Sequence, residues 1–301
     1  MKKVLLIVCG LTTGIYLIGC STLTEESKAP ATEAEIAEEL AEEVQTGTYT
    51  ATIEHNDLER SYLLHVPAQA NLGEPLPLLL NLHGMTGTSE SQLSYADFRP
   101  IADRDGVLLV YPQGTTLNGD TIWNVGSWTR ASDADDIGFL VALIDELTAE
   151  FNVDSERVYS IGHSNGGYMS FLLACQAGDK ITAVASVSGT MTPETYSGCE
   201  PSHPTPVLQI HGTADSVVPY NGSSWTRSVD QVIDYWTEFN GLSSDPVMVD
   251  VERSADSTAD STVTRMLYSD PDTPAVVEHI MVDGGDHEWL GQGNAVGEAN
   301  L

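Results

Sequence analysis

A serine flanked by glycines lies where a strand is predicted to turn into a helix. The segment Gly162-His163-Ser164-Asn165-Gly166 follows the apolar stretch 157–161 and opens a helical pattern at 166–176. Glycines leave room for a sharp turn of this kind, which holds the serine hydroxyl out at the end of a sheet. The pattern therefore predicts a nucleophilic Ser164, the alternative being a glycine-rich turn that contains a serine by chance.

A serine hydroxyl attacks a carbonyl carbon efficiently only when a base removes its proton, and His287 fits that role best. It follows the predicted strand 276–282 through Asp283-Gly284-Gly285-Asp286, a flexible turn that can carry an imidazole across the end of a sheet. Most of the other histidines lie in predicted strands or glycine turns. His203 is the other loop histidine and is the alternative.

The base needs a carboxylate that holds its tautomer and stabilises the imidazolium. This acid should follow a strand and should lie between the serine and the histidine in the chain. The predicted strand 207–211 leads into Gly212-Thr213-Ala214-Asp215, so we expect Asp215 at the same edge of the sheet as Ser164. Asp234 falls within a helical pattern and Asp245 within a turn, and both are interpreted as solvated surface charges.

A tetrahedral intermediate carries negative charge on an oxygen, which two backbone N–H groups can stabilise. One should belong to the residue after the nucleophile, Asn165, and the other to an early loop between a strand and a helix. The loop His83-Gly84-Met85-Thr86-Gly87 follows the strand 78–82. Met85 is therefore predicted as the second donor, an assignment that can slip by one residue. The sequence shows neither metal-ligand spacing nor a phosphate-binding glycine loop, so no metal and no other cofactor are expected.

Strands and helices alternate around these residues. The stretches 49–53 and 62–66 have the alternating pattern of an antiparallel pair. Further strands are predicted at 78–82, 107–111, 157–161, 183–187, 207–211 and 276–282, and helices at 134–151, 166–176 and 229–239. Continuous apolar strands separated by helices indicate an α/β fold with a mainly parallel central sheet flanked by helices.

Length and charge narrow the class of protein. The 301 residues include 12 basic and 44 acidic side chains, for a formal charge of -32. This length suits one large domain with a substantial core. Nucleic acid is excluded as a partner, because phosphate binding needs clustered cationic residues. The acidic surface fits a saline source, and surface acidity without special adaptation is an equal alternative.

The first 20 residues are typical of an export signal. Lys2 and Lys3 precede a mostly apolar run at 4–18, and Leu17-Ile18-Gly19-Cys20 resembles a bacterial lipobox. A lipidated Cys20 would anchor the chain to a membrane surface without spanning it. Ordinary cleavage and an uncleaved anchor are the alternatives. The expected location is the cell surface or outer membrane, or the medium.

The residues that follow the signal are rich in glutamate and alanine. Residues 21–47 contain little that can be buried and are predicted as an acidic flexible tether. The alternating strand pattern begins directly afterwards. The catalytic domain is therefore predicted at 48–301.

Export places the chain in an oxidising compartment, where cysteines form disulfides. Cys9 lies in the signal and Cys20 is the lipidation candidate, which leaves Cys175 and Cys199. One disulfide is expected, and two buried free thiols are the alternative.

From residue 48 onward the sequence resembles the polyhydroxybutyrate depolymerase and feruloyl esterase group of secreted α/β-hydrolases, which also contains acetyl xylan esterases. The segments that carry the resemblance are Leu82-His83-Gly84, Tyr111-Pro112-Gln113-Gly114, Trp123-Asn124, Asp135-Asp136-Ile137-Gly138-Phe139, Arg157-Val158-Tyr159, Gly162 to Gly167, His211-Gly212-Thr213-Ala214-Asp215 and Val218-Pro219-Tyr220. The resemblance implies the α/β-hydrolase fold and a triad of Ser164, Asp215 and His287. It also implies a disulfide between Cys175 and Cys199.

The same resemblance implies a serine ester hydrolase. Its substrates would be polyhydroxyalkanoate or other polyester oligomers, or feruloyl or acetyl esters of polysaccharides. Trp123, Trp128 and Trp289 are predicted to line the substrate cleft, with core packing as an equal alternative for each. The chain departs from the family in lacking cysteines near Trp123-Asn124 and in having Leu290 where a proline commonly follows the tryptophan.

Two other functions are compatible with these features. An acyltransferase can use the same three residues if its cleft excludes water. A surface lipoprotein can bind polymers on a hydrolase scaffold without catalysis. The expected partners are an ester substrate and, through the lipid anchor alone, a membrane; the chain is predicted to be a monomer.

Overall fold

The computed structural model describes residues 44–249 and 262–289. The predicted signal, the lipidation candidate Cys20 and nearly all of the predicted tether lie outside these ranges. Among the residues that are described, no helix combines the length and apolar character needed to cross a membrane.

Strands form the centre of the molecule. Those within the described ranges are β1 (Gly47–His55), β2 (Leu58–Val66), β3 (Leu76–Leu82), β4 (Leu108–Pro112), β5 (Thr115–Leu117), β6 (Asp120–Ile122), β7 (Val153–His163), β8 (Ala183–Val187), β9 (Val207–Gly212), β10 (Val247–Val249), β11 (Val263–Ser269) and β12 (Val276–Val282). Ten of them form one sheet in the order β1-β2-β4-β3-β7-β8-β9-β12-β11-β10, and β5 pairs with β6 in a separate hairpin.

The middle of the large sheet is parallel. Strands β4, β3, β7, β8, β9 and β12 run in one direction, while β1 and β2 at one edge and β10 and β11 at the other are antiparallel to their neighbours. Parallel strands place their carboxyl ends at a common edge, where ligands of open α/β sheets bind. The predicted fold class, a mainly parallel sheet of the α/β-hydrolase type, is confirmed.

Helices cover both faces of the sheet. The α-helices among the described residues are α1 (Ser89–Tyr95), α2 (Arg99–Asp105), α3 (Asp136–Phe151), α4 (Asn165–Gln176), α5 (Pro193–Ser197) and α6 (Val229–Phe239). Because successive strand residues point to opposite faces, Leu78 and Leu80 pack in the larger apolar cluster with α3, α4 and α6. Leu79 faces the other way, toward Phe98 and Trp289.

A disulfide ties α4 to the segment that follows α5. Cys175 and Cys199 are bonded, with their Cα atoms 4.7 Å apart. The bridge implied by the family resemblance is therefore present, and the alternative of two free thiols is wrong.

Candidate active site

The serine turn joins β7 to α4. Ser164 stands between them with φ of 52° and ψ of -118°, in a region that residues other than glycine occupy only under constraint. Its N–H donates to the Val187 oxygen at 2.8 Å, and its carbonyl accepts from the Tyr168 N–H at 3.1 Å. The end of β8 and the first turn of α4 therefore hold the strained backbone in place.

Two glycines make this turn sterically possible. A Cβ atom on Gly162 would lie 2.2 Å from the carbonyl carbon of Gly166, and one on Gly166 would lie 2.3 Å from the Leu82 oxygen. A side chain at either position would push α4 away from β3 and β7. The glycine spacing that predicted the turn is thus a requirement of how strand and helix pack.

Asp215 and His287 follow neighbouring parallel strands. Because β9 and β12 are paired in the sheet, the loops that leave them start side by side. The Nδ1 atom of His287 lies 2.9 Å from Asp215 Oδ2. The other carboxylate oxygen, Oδ1, accepts from the Val217 and Val218 N–H groups at 2.9 and 2.7 Å. The structure thus brings the predicted acid and the predicted base into direct contact.

A second histidine lies beneath the same carboxylate. His211 Nε2 is 3.2 Å from Asp215 Oδ2 and 2.9 Å from the Val218 oxygen, and its Nδ1 faces the side-chain amide nitrogen of Gln209 at 3.0 Å. An amide N–H can only donate, so the partners assign the proton of His211 to Nε2. His211 therefore donates through Nε2 toward the Asp215 carboxylate and the Val218 oxygen.

These contacts set the charge of Asp215. Burial alone would raise the pKa of its carboxyl, but hydrogen bonds from His211, His287 and the Val218 N–H outweigh burial and hold the pKa below its usual range. An ionised carboxylate only accepts, so His287 donates to it through Nδ1. That tautomer leaves Nε2 of His287 unprotonated, as a base acting on a serine requires.

His287 also lies beside the serine turn. Its ring centroid is 5.0 Å from that of His163, the residue before Ser164. Burial lowers the pKa of His163 to about 3, so this neighbour stays neutral and adds no charge against an imidazolium. Within the described residues, Ser164 Oγ makes no hydrogen bond to the imidazole. Such bonds often tighten only when a substrate is bound.

His83 fixes the loop that carries the predicted oxyanion donor. Its Nε2 accepts from the Gly114 N–H at 2.9 Å, so its Nδ1 carries the proton and donates to the Gly84 oxygen at 2.7 Å. Burial lowers the pKa of His83 to about 4, which keeps the ring neutral at pH 7. In a planar trans peptide the C=O and N–H bonds point in opposite directions. The Met85 N–H therefore points away from His83.

Two backbone N–H groups are available at the serine turn. The Met85 N–H has no hydrogen-bond acceptor in the part of the chain that the structure describes. Asn165 is the first residue of α4, so its N–H has no acceptor within the helix. Gly84 lies against the turn, since a Cβ at its position would be 3.4 Å from Ser164 Cβ. This arrangement can stabilise an oxyanion next to Ser164.

Trp123, predicted at the cleft, is fully buried. Its indole Nε1 donates to the His83 oxygen at 2.9 Å. Its backbone N–H and C=O pair with the side-chain amide of Asn165 at 2.6 and 3.0 Å. The environment of Trp123 is that of the alternative, core packing. Its hydrogen bonds join the loop that carries Met85 to the start of α4.

The other two predicted tryptophans differ from each other. Trp289 is 8% exposed, with its ring centroid 5.9 Å from that of Phe98. Trp128 is partly exposed and meets Trp225 edge to face at 6.3 Å. Trp225 was not singled out from the sequence, because its contact with Trp128 joins two loops far apart in the chain and no local pattern indicates such a contact. Of the three predicted tryptophans, Trp128 is thus the most accessible.

A buried ion pair supports the segments around Trp123. Arg60 Nη2 donates to Asp136 Oδ1 at 2.7 Å and to the Gln113 oxygen at 3.0 Å, and both charged side chains are at most 5% exposed. The second carboxylate oxygen of Asp136 accepts from the Asn124 N–H at 2.7 Å. The guanidinium also stacks on the Phe139 ring at 3.9 Å. Motifs distant in the sequence thus meet at one buried charge pair.

Sequence reasoning gave no role to His83 or His211. Each lies at the carboxyl end of a central strand, directly before a loop that holds a predicted site residue. That position was the available signal, since side chains at such strand ends face the ligand edge of an α/β sheet. Throughout the described residues, the candidate site included, no group of three or more histidine, cysteine or carboxylate side chains is arranged to hold a metal ion.

Comparison with known proteins agrees with this architecture. The family model described as esterase PHB depolymerase matches residues 60–218. NocK of Nocardia uniformis subsp. tsuyamanensis, named as an esterase, is 32% identical over 248 residues, which are 77% of this chain and 71% of NocK. Feruloyl esterase B of Piromyces equi is 31% identical over 198 residues, 62% of this chain but 37% of that protein.

A solved structure supports the fold independently. The acetyl xylan esterase from Aspergillus awamori superposes with a TM-score of 0.59 over 80% of this chain and 94% of that chain, at 16% identity. The matched family segment includes the serine turn and Asp215. The chain therefore belongs to the esterase PHB depolymerase family of α/β-hydrolases.

Proposed function

We propose that this protein is a serine carboxylic ester hydrolase in which Ser164 is the nucleophile, His287 the general base and Asp215 the acid that orients the base. The observation that carries the proposal is the 2.9 Å contact between His287 Nδ1 and Asp215 Oδ2, formed beside a serine turn with a strained backbone. The depressed pKa of Asp215 supports it, because a permanent carboxylate keeps His287 in the tautomer that a base needs.

The reaction is two-step acyl transfer. Ser164 Oγ attacks the ester carbonyl carbon while His287 Nε2 takes its proton, and the N–H groups of Met85 and Asn165 stabilise the oxyanion. Collapse of this intermediate breaks the bond to the alcohol, which leaves with the proton from His287. Water then attacks the acyl enzyme by the same route, and the acid product and free Ser164 result.

Two substitutions test the proposed roles of Ser164 as nucleophile and Asp215 as orienting acid. Ser164→Ala should lower kcat by about four to six orders of magnitude with the fold intact, and Asp215→Asn by about four, because the amide favours the wrong tautomer of the base. Asp245→Asn is the matched control, since Asp245 is an exposed aspartate. Labelling of the wild type by a fluorophosphonate at Ser164 reports the nucleophile directly. Near-normal turnover by folded Ser164→Ala protein would end the proposal.

We propose that the substrates are polyhydroxyalkanoate or related polyester oligomers, or feruloyl or acetyl esters of polysaccharides. The family description and the feruloyl esterase relative support these classes. Hydrolysis rates across acyl chain lengths and aromatic esters distinguish them. If aromatic acids contact Trp128, then Trp128→Ala should raise KM for feruloyl esters more than for acetyl esters. An equal change for both would place Trp128 outside the acyl site.

We further propose that the protein is exported and held at a membrane surface by lipid on Cys20, a residue outside the described ranges. The proposal rests on the signal-like residues that precede Cys20. Cys20→Ala should abolish incorporation of labelled fatty acid and should release or mislocalise the enzyme. Unchanged membrane association of this variant would point to an uncleaved anchor instead.

A further inference from the structure

The loops that carry Asp215 and His287 remain paired beyond the ends of their strands. The Thr213 N–H donates to the Val282 oxygen at 2.9 Å, and the Ala214 N–H donates to the Gly285 oxygen at 3.0 Å. The two loops thus extend the pairing of β9 and β12 toward the candidate active site. This close approach restricts how the acid and base can move relative to each other.

Side chains add two further links between these loops. In the first, Thr213 Oγ1 donates to Asp283 Oδ1 at 3.1 Å and accepts from the Gly284 N–H at 2.8 Å. In the second, Asp286 Oδ1 accepts from the N–H and the hydroxyl of Ser216 at 2.9 and 2.8 Å. The same Asp286 oxygen also accepts from the His287 N–H at 2.8 Å. One carboxylate oxygen of Asp286 therefore binds Ser216 on one loop and His287 on the other.

The second link lies next to the reacting groups. Ser216 follows Asp215 directly, and Asp286 precedes His287 directly. We call Ser216 and Asp286 the clasp. The chain reaches His287 through Gly284 and Gly285, which the Thr213 hydroxyl and the Ala214 N–H already hold in place. The clasp adds a restraint at the main chain of His287 itself, which fixes the starting direction of its side chain.

We propose that Asp286 is a positioning residue which, with Ser216, holds the His287 imidazole against the Asp215 carboxylate. The inference rests on the proposed function, because it names a support of that site. In the described part of the chain, Asp286 forms no hydrogen bond to the imidazole ring or to the Asp215 carboxylate. It acts through the main chain of His287 and through Ser216.

The charge of Asp286 strengthens the clasp. Hydrogen bonds from the Ser216 N–H and hydroxyl and from the His287 N–H lower the pKa of its carboxyl. The side chain is therefore ionised at neutral pH, and bonds to an ionised acceptor are stronger than neutral ones. Asparagine at this position would retain an acceptor oxygen without the charge. This substitution therefore separates the effect of the hydrogen-bond geometry from the effect of the charge.

Three variants test the clasp, and each changes an exposed side chain that the core does not need. Asp286→Ala removes the acceptor, and Asp286→Asn retains an acceptor oxygen. Asp283→Ala is the matched control, since it removes the carboxylate of the first link and leaves the clasp. We expect Asp286→Ala to lower kcat by about tenfold to a hundredfold, as small misplacements of catalytic groups do, with KM within about twofold. Asp286→Asn should recover most of kcat, and Asp283→Ala should keep it.

A second measurement does not depend on turnover. The Nδ1–H proton of His287 should give a downfield NMR resonance through its hydrogen bond to Asp215, assigned by its loss in His287→Gln. This resonance should weaken or shift in Asp286→Ala and persist in the other two variants. A merely structural role for Asp286 would lower the unfolding temperature without moving this signal.

The possible outcomes separate the clasp from the proposed function. If Asp286→Ala keeps both kcat and the resonance, the clasp is rejected. If all three variants lose kcat equally, loop destabilisation is the cause and the clasp is again rejected. If the wild type hydrolyses no ester, the proposed function fails, yet the resonance across the variants still decides whether Asp286 positions His287.

Discussion

Removing one partner of the buried pair formed by Arg60 and Asp136 should destabilise the protein strongly. Taking Arg60 to Met keeps the aliphatic stem but leaves a carboxylate that water cannot reach, since Asp136 is 1% exposed. Breaking a buried pair in this way costs about 3–5 kcal/mol. At about 2–4 °C per kcal/mol for a domain of this size, the unfolding midpoint should fall by about 6–20 °C. Asp136→Leu should cost a similar amount, because it strands the guanidinium instead.

The double variant distinguishes a buried charge from lost packing. Arg60→Met with Asp136→Leu leaves no uncompensated charge, so its cost should be well below the sum of the two single costs. Urea unfolding followed by circular dichroism gives the four free energies of the cycle. The exposed pair Arg104 and Asp105 provides the control, and Arg104→Met should leave the midpoint unchanged.

The reasoning would be refuted by single variants that each cost less than about 1 kcal/mol, the value of an exposed pair. Such a result would mean that water reaches Asp136. A functional effect should accompany the loss of stability, because Asp136 also binds the Asn124 N–H. That bond anchors the segment in which Trp123 pairs with Asn165 at the start of α4. A folded Asp136→Leu protein should therefore also have a lower kcat.

Three further predictions concern stability. Reducing the disulfide between Cys175 and Cys199, which closes a separation of 24 residues, should lower the free energy of unfolding by about 3 kcal/mol, and an unchanged melting temperature after verified reduction would contradict this. Added salt should raise the melting temperature by screening repulsion among the excess carboxylates, whereas a flat response up to molar salt would argue against saline adaptation. Burial lowers the pKa of His83 and His279 to about 4 and of His163 to about 3. Between the unfolded pKa of about 6.5 and pH 4, the unfolded chain therefore binds more protons than the folded chain. The stability contributed by these neutral rings is therefore present above pH ~6.5 and is lost as pH falls, by about 1.4 kcal/mol per histidine and pH unit. The free energy of unfolding, measured with urea from pH 7 to 4, should fall accordingly. A free energy of unfolding that stays constant over that range would mean that the rings are hydrated.

The long elements could be predicted from the sequence because their signals are local. Strands β8 and β12 and helix α6 begin and end at the predicted residues. Helix α3 begins at Asp136, two residues after the predicted start at 134. The difference has a physical cause, since the Asp135 side chain accepts from the Gly138 N–H at 2.9 Å and caps the helix there.

The short elements were missed because distant contacts stabilise them. The sequence reasoning named neither the β5–β6 hairpin nor the helices α1, α2 and α5. The hairpin carries Thr121, whose backbone oxygen accepts from the Thr86 N–H at 2.8 Å. This contact joins two segments far apart in the chain, so no local sequence pattern indicates it. Helix α1 is capped by Thr88 together with Ser91, in place of the glutamate or glutamine that makes a capping box recognisable in a sequence. Strands β10 and β11, which close the far edge, were also not predicted.

The candidate site shows the same division. Ser164, Asp215 and His287 could be singled out because each stands in a local pattern, a turn or the end of a strand. Their supports could not, since His211 beneath Asp215 and Asp286 beside Ser216 depend on which strands are neighbours in the sheet. Strand order arises from long-range pairing, which no local pattern in one sequence encodes.

The adjacency of β9 and β12 also has a consequence for how the protein can be modified. The acid and the base leave neighbouring strands, yet the chain between those strands travels through α6 and out to β10 and β11 before it returns. Their spacing is thus set mainly by the pairing of these two strands. Within the intervening segment, Val217 and Val218 bind the Asp215 carboxylate and α6 packs in the core, whereas the turn 243–245 between α6 and β10 is exposed. Protein engineers can therefore graft an added module at that turn while the distance between the acid and the base stays the same.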